Sequence, residues 1–298
     1  MEDILLYLEH KKNHVFYIEN IIRTTSGKEY EIGERVSNGG NAVVYKCTER
    51  ISGDEYAAKF QLTPYNSKRI ERFKQEVSLL KDINHEQLIN YIDEGEVCFR
   101  KKDKTSRKLV PERRKKIPFL IMRLANGNLT EHLKDRKVIK YAEYISQFKG
   151  LADALKVLHE KAIHRDIKPE NILVSGETWL LSDFGLCKFN DNDPNEDLTA
   201  DNEVVGPRYW MSPEALNKHI GNEDEINKSS DVYQLCSIFW YVVTGRHPLG
   251  IVSKEDWKEN GLDELFQVIY DSLSHDSNKR PNDGEELLQR ITAATIAI

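Results

Sequence analysis

Within the run His164-Arg165-Asp166-Ile167-Lys168-Pro169-Glu170-Asn171, followed by Asp183-Phe184-Gly185, the carboxylates of Asp166 and Asp183, the lysine Lys168 and the amide Asn171 stand in an order that suits one chemistry. Asp166 can accept a hydrogen bond from an incoming hydroxyl. Lys168, two residues on, can neutralise charge on a transferring phosphoryl group. Asn171 and Asp183 offer hard oxygens, which suit magnesium because it takes few protein ligands and keeps water and phosphate. Together these groups meet the needs of phosphoryl transfer from ATP, which depends on positioning and charge stabilisation. Phe184 and Gly185 add an aromatic anchor and a backbone turn. The plain alternative is a polar loop between two strands, and the other parts found in order along the chain weigh against it.

The elements around this loop must place it. Ile145, Phe148, Leu151, Ala152, Leu155 and Leu158 form an apolar stripe at helical spacing that ends beside His164. A second apolar helix is expected from about Val232 to Val243. Upstream, strand-like runs cover Tyr30 to Val36, Ala42 to Thr48 and Glu55 to Leu62. Turn chemistry at Ser37-Asn38-Gly39-Gly40-Asn41 and Ser52-Gly53-Asp54 separates them into an antiparallel meander. Residues 69–83 read as helix and Leu88 to Ile92 as strand. A short amphipathic piece (Ile4, Leu5, Leu8) and an alternating stretch from Val15 to Ile22 precede all of this. A strand-rich first third and a helical remainder predict an α+β chain of two lobes joined near Arg123 to Asn126.

Composition narrows the class. The chain has 298 residues, 39% hydrophobic and 31% charged, enough to bury a sizeable core. Its net charge of −6 argues against a general nucleic-acid binder. No apolar run approaches the roughly 20 residues of a membrane span, so no membrane partner is expected. Met1-Glu2-Asp3 lacks the basic start of a signal peptide. Cys47, Cys98, Cys187 and Cys236 are scattered without a C-x-x-C pair and read as reduced thiols of a cytoplasmic protein.

Taken together, these residues resemble the eukaryotic-type protein kinase family over roughly residues 30–292. The resemblance implies a bilobal kinase-like fold, with an antiparallel β N-lobe carrying one main helix at 30–123 and a mostly helical C-lobe at 124–298. The extension at 1–29 lies outside it and reads as a cap on the small lobe or a partner-binding segment. The resemblance also implies ATP and Mg2+ as cosubstrate and cofactor and a protein as substrate. Asp166 would be the catalytic base, Lys168 would stabilise charge, and Asn171 and Asp183 would hold metal. Lys59, in Tyr56-Ala57-Ala58-Lys59, would hold the α- and β-phosphates and would itself be held by Glu76. Val44, Ala57 and Leu173 would enclose the purine, with Met122 behind it and the backbone near Arg123 to Ala125 contacting the base. The phosphate-covering loop would be Ser37, Gly39, Gly40 and Ala42. Only Gly39 matches that glycine pattern strictly, and Ser37 and Ala42 lack glycine's access to positive φ. Met211-Ser212-Pro213-Glu214 resembles the A-P-E element. Glu214 would pair with Arg280, and Asp231 would bond the backbone around His164 and Arg165.

Lys168 resembles the serine/threonine type of catalytic loop, whereas Pro207 stands where that type has threonine, so serine/threonine specificity is expected with dual specificity as the alternative. Arg165 is placed to receive a phosphate on the following segment, where Thr199 is the only hydroxyl residue between Gly185 and Gly206. Asp191, Asp193, Glu196, Asp197, Asp201 and Glu203 crowd the same segment and could satisfy Arg165 instead. A pseudokinase scaffold, supported by Ser37, Ala42 and Pro207, is the non-enzyme alternative. A small-molecule kinase is disfavoured by Glu214, Asp231 and Arg280. Residues 100–116 hold ten Lys/Arg and two Asp/Glu. They read as a solvated, partly disordered hairpin loop between two strands or as a docking element for an acidic partner. The absence of aromatics in 101–116 makes nucleic acid the weaker version.

Overall fold

The computed structural model describes residues 5–9, 15–38, 42–103, 105–135, 139–190, 209–222, 224–250, 252–257 and 262–295. The chain divides into two compact units, Met1–Asp82 with Asn90–Leu124, and Ile83–Ile89 with Ala125–Ile298.

The first unit is mostly antiparallel sheet. Its elements in chain order are β1 (Leu5–Glu9), β2 (Val15–Glu19), β3 (Ile21–Arg23), β4 (Glu29–Asn38), β5 (Ala42–Glu49), β6 (Glu55–Gln61), α1 (Ser67–Asp82), β7 (Tyr91–Val97), β8 (Arg100–Lys102), β9 (Leu109–Pro111) and β10 (Ile117–Arg123). The main sheet has the order β3-β4-β5-β6-β10-β7. Alternation sets its faces: along β5, Val43, Tyr45, Cys47 and Glu49 are buried while their neighbours are half-exposed. Phe60, Phe119 and Ile121 join Val43, Tyr45 and Cys47 in one core. Helix α1 buries Phe73, Glu76, Val77, Leu79 and Leu80 at the expected 3–4-residue spacing.

Within 1–29, Phe16, Ile18 and Ile22 sit in the same core as Phe60 and Phe119. The basic stretch 100–116, expected from sequence as a partly disordered hairpin loop, contains two paired strands. Strands β8 and β9 form a hairpin, and β8 pairs with β2, giving a second sheet of order β1-β2-β8-β9. Phe99 anchors it, with its ring 4.8 Å from that of Phe16. The strand expected at Leu88 to Ile92 begins only at Tyr91. Leu88 instead bridges Leu181, and the Ile89 N–H donates to the Leu181 carbonyl at 3.0 Å, which assigns Ile83–Ile89 to the second unit.

The second unit is mainly helical: α2 (Leu129–Asp135), α3 (Tyr141–His159), α4 (Pro213–His219), α5 (Lys228–Thr244), α6 (Asp263–Ser272) and α7 (Gly284–Ala293). Small sheets join β11 (Gly127–Asn128) to β13 (Ile172–Ser175) and β14 (Thr178–Leu181), and β12 (Ala162–Ile163) to β15 (Lys188–Phe189). The stripe Ile145 to Leu158 is buried along α3, and Phe148 stacks on Phe239 of α5 at 4.0 Å. A reciprocal cap starts α5: Asn227 Oδ1 accepts from the Ser229 N–H at 2.9 Å, and Ser230 Oγ accepts from the Asn227 N–H at 3.1 Å. Gly245, at φ +72°, ends it.

Helix α7 begins at a close approach. A Cβ on Gly284 would lie 2.3 Å from the Lys156 nitrogen and 2.6 Å from the Leu155 carbonyl carbon, both backbone atoms that cannot swing aside. Gly284→Ala is therefore expected to destabilise the protein by about 3 kcal/mol, the upper part of the range for overpacking. A urea midpoint equal to that of the wild type would show that α3 and α7 do not meet this closely.

Candidate active site

In the first unit, β6 lies between β5 and β10, with Lys59 opposite Val44 on one side and Leu120 on the other. Its Nζ donates to Glu76 Oε1 of α1 at 2.6 Å. The two side chains are only 11% and 4% exposed, so each depends on the other as its charge partner. Ala57 faces Met122 across β6 and β10, and both are buried. The Arg123 N–H donates to the Asn90 carbonyl at 3.3 Å. Ser37 and Ala42 stand near the facing ends of β4 and β5. Gly39 and Gly40 lie outside the described residues.

In the second unit the loop after β12 is fixed from below by α5. Asp231, fully buried, accepts the N–H of His164 at 2.7 Å and of Arg165 at 2.8 Å, one on each oxygen. This grip holds Arg165 at φ +68°, a region that costs a residue with a Cβ on the order of 1–3 kcal/mol. His159 joins the same carboxylate. Its Nδ1 accepts from the Gly284 N–H at 3.1 Å, so its proton sits on Nε2, which donates to Asp231 Oδ2 at 3.1 Å. One turn along α5, Gln234 Oε1 accepts the Ile167 N–H at 3.0 Å.

Asp166 is the centre of the polar cluster this loop presents. Its Oδ2 accepts from Lys168 Nζ at 2.8 Å and from Asn171 Nδ2 at 2.8 Å, and its carbonyl accepts from the same Asn171 nitrogen at 2.8 Å. Asn171 is in turn held through its carbonyl, which takes both Ser182 N–H and Ser182 Oγ. His164 closes the circuit. Its Nδ1 accepts the Asp166 N–H at 3.3 Å, and its Nε2 donates to the Ser182 carbonyl at 3.1 Å. The next residue, Asp183, is exposed and sits at φ +63°. Burial pushes the Asp166 carboxyl above the ordinary aspartate range. Lys168 and His164 offset this in part, and the Asp183 charge adds to it.

Glu214, at the start of α4, meets Arg280 in a two-pronged pair, Nη1 to Oε1 and Nη2 to Oε2, both 2.8 Å. Arg280 also donates through Nε to the Ser274 carbonyl at 2.7 Å, and Ser230 Oγ donates to Glu214 Oε1 at 2.5 Å. Arg165, buried, donates through Nε to the Leu186 carbonyl at 2.8 Å. Leu173, on β13, is half-buried, and Ala125 lies at the start of the second unit's main segment. Thr199 and Pro207 lie outside the described residues.

Sequence reading did not single out His159, Ser182 or Gln234. The signal for Gln234 was present: it and Asp231 are polar residues at i, i+3 beside the apolar run of α5, a spacing that puts both on one buried face.

The donor set fits magnesium. Both amide hydrogens of Asn171 are directed at Asp166, which leaves its Oδ1 as the open donor, and Asp183 brings a second hard oxygen donor.

Comparison with known proteins adds a family. The protein kinase domain model matches residues 30–295. Death-associated protein kinase 2 of Mus musculus is 28% identical over 249 residues, 81% of this chain and 60% of that protein. Cysteine-rich receptor-like protein kinase 10 of Oryza sativa subsp. japonica is 28% identical over 259 residues, 84% of this chain and 35% of that protein. A probable serine/threonine-protein kinase, PknB, of Corynebacterium glutamicum is 28% identical over 225 residues, 74% of this chain and 32% of that protein. The chain thus spans between a third and three fifths of the length of these relatives.

Proposed function

The chain belongs to the protein kinase family, and we propose that it transfers the γ-phosphate of ATP to serine or threonine hydroxyls of proteins. The observation that carries this reading is the shared oxygen of Asp166, which takes both Lys168 and Asn171 at 2.8 Å and leaves Oδ1 of the same carboxylate for an acceptor hydroxyl.

Each residue then has a task. Asp166 orients the acceptor hydroxyl and holds its proton as the oxygen attacks phosphorus. Lys168 offsets the charge on the transferring group. Lys59, fixed by Glu76, takes the α- and β-phosphates. Asn171 and Asp183 would hold magnesium, which when bound would offset the negative charge of the phosphates. Glu214, Arg280 and Asp231 hold the backbone of the loop and of α4. Lys168 is also the residue that favours serine/threonine over tyrosine acceptors. The adenine contacts of Val44, Ala57, Met122, Arg123, Ala125 and Leu173 are part of the same proposal. So is the place of Ser37, Gly39, Gly40 and Ala42 over the phosphates.

Arg165 stands as the receiver for a phosphate on Thr199. The free cysteines, two of them buried, suit a reducing cytoplasmic setting. Among the described residues no helix is long and apolar enough to cross a membrane.

The test is transfer of labelled phosphate from ATP to a generic protein acceptor, with magnesium and with a chelator, followed by phosphoamino-acid analysis. Label on serine or threonine that requires magnesium is expected. Label on tyrosine alone would overturn the acceptor assignment, and no label under any condition would overturn the activity.

A further inference from the structure

The basic hairpin has a property that its charge count alone does not reveal. Both of its carboxylates are used internally. Asp103 Oδ1 accepts from the N–H groups of Thr105 at 3.1 Å and Ser106 at 2.7 Å, closing the turn between β8 and β9. Glu112 Oε2 accepts from Lys101 Nζ at 2.5 Å and from Tyr65 Oη at 2.6 Å, and its Oε1 takes the Arg114 N–H at 3.0 Å. Lys101 and Tyr65 hold the Glu112 carboxyl down at about 2, so it stays charged and engaged. What remains is Lys102, Arg107, Lys108, Arg113, Arg114 and Lys115. All six are exposed, and none of their side chains has an acidic partner among the described residues. They stand on a hairpin that β2 and the Phe16–Phe99 contact hold in place, so the charges are presented on a fixed frame.

We propose that this hairpin docks the acidic segment 191–203 of a second copy of the chain. That segment carries Asp191, Asp193, Glu196, Asp197, Asp201 and Glu203 and no lysine or arginine, so six carboxylates match six unpaired cations. It also surrounds Thr199. An acidic peptide is favoured over nucleic acid on two grounds. Residues 101–116 contain no aromatic side chain on which a base could stack. The chain as a whole carries −6, which repels a long polyanion beyond the hairpin. The docking rests on the hairpin and on charge alone. Its consequence, delivery of Thr199 to another copy's Asp166, rests on the kinase reading.

Binding is read first, because it needs no catalysis. A fluorescent peptide of residues 188–205 is titrated with the full-length chain, beside a peptide whose six acids are Asn or Gln. The acidic peptide should bind more tightly by roughly tenfold or more and weaken as salt rises. Serine at all six cation positions should remove this preference. Exchanging lysine and arginine among them should keep it, which separates lost charge from lost fold. Equal binding of both peptides, or an all-serine variant that still prefers the acidic one, overturns the proposal. So does a single-stranded oligonucleotide that binds the hairpin when the peptide does not.

Transfer from the wild-type chain to a full-length Asp166→Asn acceptor is read second. It should slow roughly tenfold when the enzyme copy carries the all-serine hairpin. Equal rates overturn the docking. Acidic peptide binding without any transfer would uphold the docking and count against the kinase reading only.

Discussion

Asp166→Asn is expected to slow phosphate transfer by roughly 10²–10⁴-fold, the usual contribution of a positioned proton acceptor. The substitution keeps the shape of the side chain and an oxygen for Lys168 and Asn171, which now contact Oδ2 at 2.8 Å. It removes the group able to take a proton. The loss should therefore appear in kcat measured by ADP release with a protein acceptor. Burial has raised the Asp166 carboxyl above the ordinary value of 3.8. A protonated Asp166 cannot accept, so activity is present above its pKa and falls as pH drops through it. The acid limb of kcat/KM should accordingly lie above the range of an exposed aspartate, and the variant should lack that limb. A variant within a few-fold of wild type, with the same limb, would mean that another group takes the proton.

Arg280→Ala carries the largest expected effect on stability, a loss of about 3–5 kcal/mol, as is typical when one partner of a buried ion pair is removed. Arg280 is 1% exposed and Glu214 7%, so the variant leaves a carboxylate buried with Ser230 as its remaining side-chain donor. In the wild type, burial pushes the Glu214 carboxyl up, but hydrogen bonds from Arg280 and Ser230 together outweigh this and its pKa is lowered. A lowered folded pKa stabilises above the unfolded value and the contribution disappears as pH falls through the folded one. The stability gap between wild type and variant should thus be full at neutral pH and shrink below about 4.5, the ordinary glutamate value. Replacing both partners with apolar residues of similar volume should recover much of the loss. A denaturation midpoint for Arg280→Ala equal to that of wild type would show that the pair is not a closed, dry contact.

What could be read from the sequence follows the range of each interaction. Asp166, Lys168 and Asn171 lie within six positions of one another, and the 3₁₀ turn Pro169–Asn171 brings Asn171 back to Asp166. Local spacing was enough to group them. The strands of the main sheet run for seven or more residues at β4, β5, β6, β7 and β10, and β5 alternates along its whole length while β6 and β10 are nearly continuous buried runs, long enough for pattern to emerge. The small sheet was hidden for the opposite reason. β8 is the charged triplet Arg-Lys-Lys, and its link to β2 is the single register pair Tyr17 and Arg100, far apart in the chain. Nothing local separates such a triplet from a solvated loop. His159, Ser182 and Gln234 act by accepting or donating to backbone across 11 to 125 positions, and backbone leaves no trace in side-chain identity. Leu88 was misread because its bridge to Leu181 is extended structure that belongs to the other unit.

This chain is expected to move phosphate, and Asp166 is expected to be the group that makes it do so. Intact-mass spectrometry of the purified chain after incubation with magnesium and ATP, beside Asp166→Asn treated identically, tests this directly. A gain of phosphate in the wild type alone, lost when magnesium is chelated, is the predicted result. Equal gain in both samples, or none in either when a protein acceptor is supplied, would contradict it.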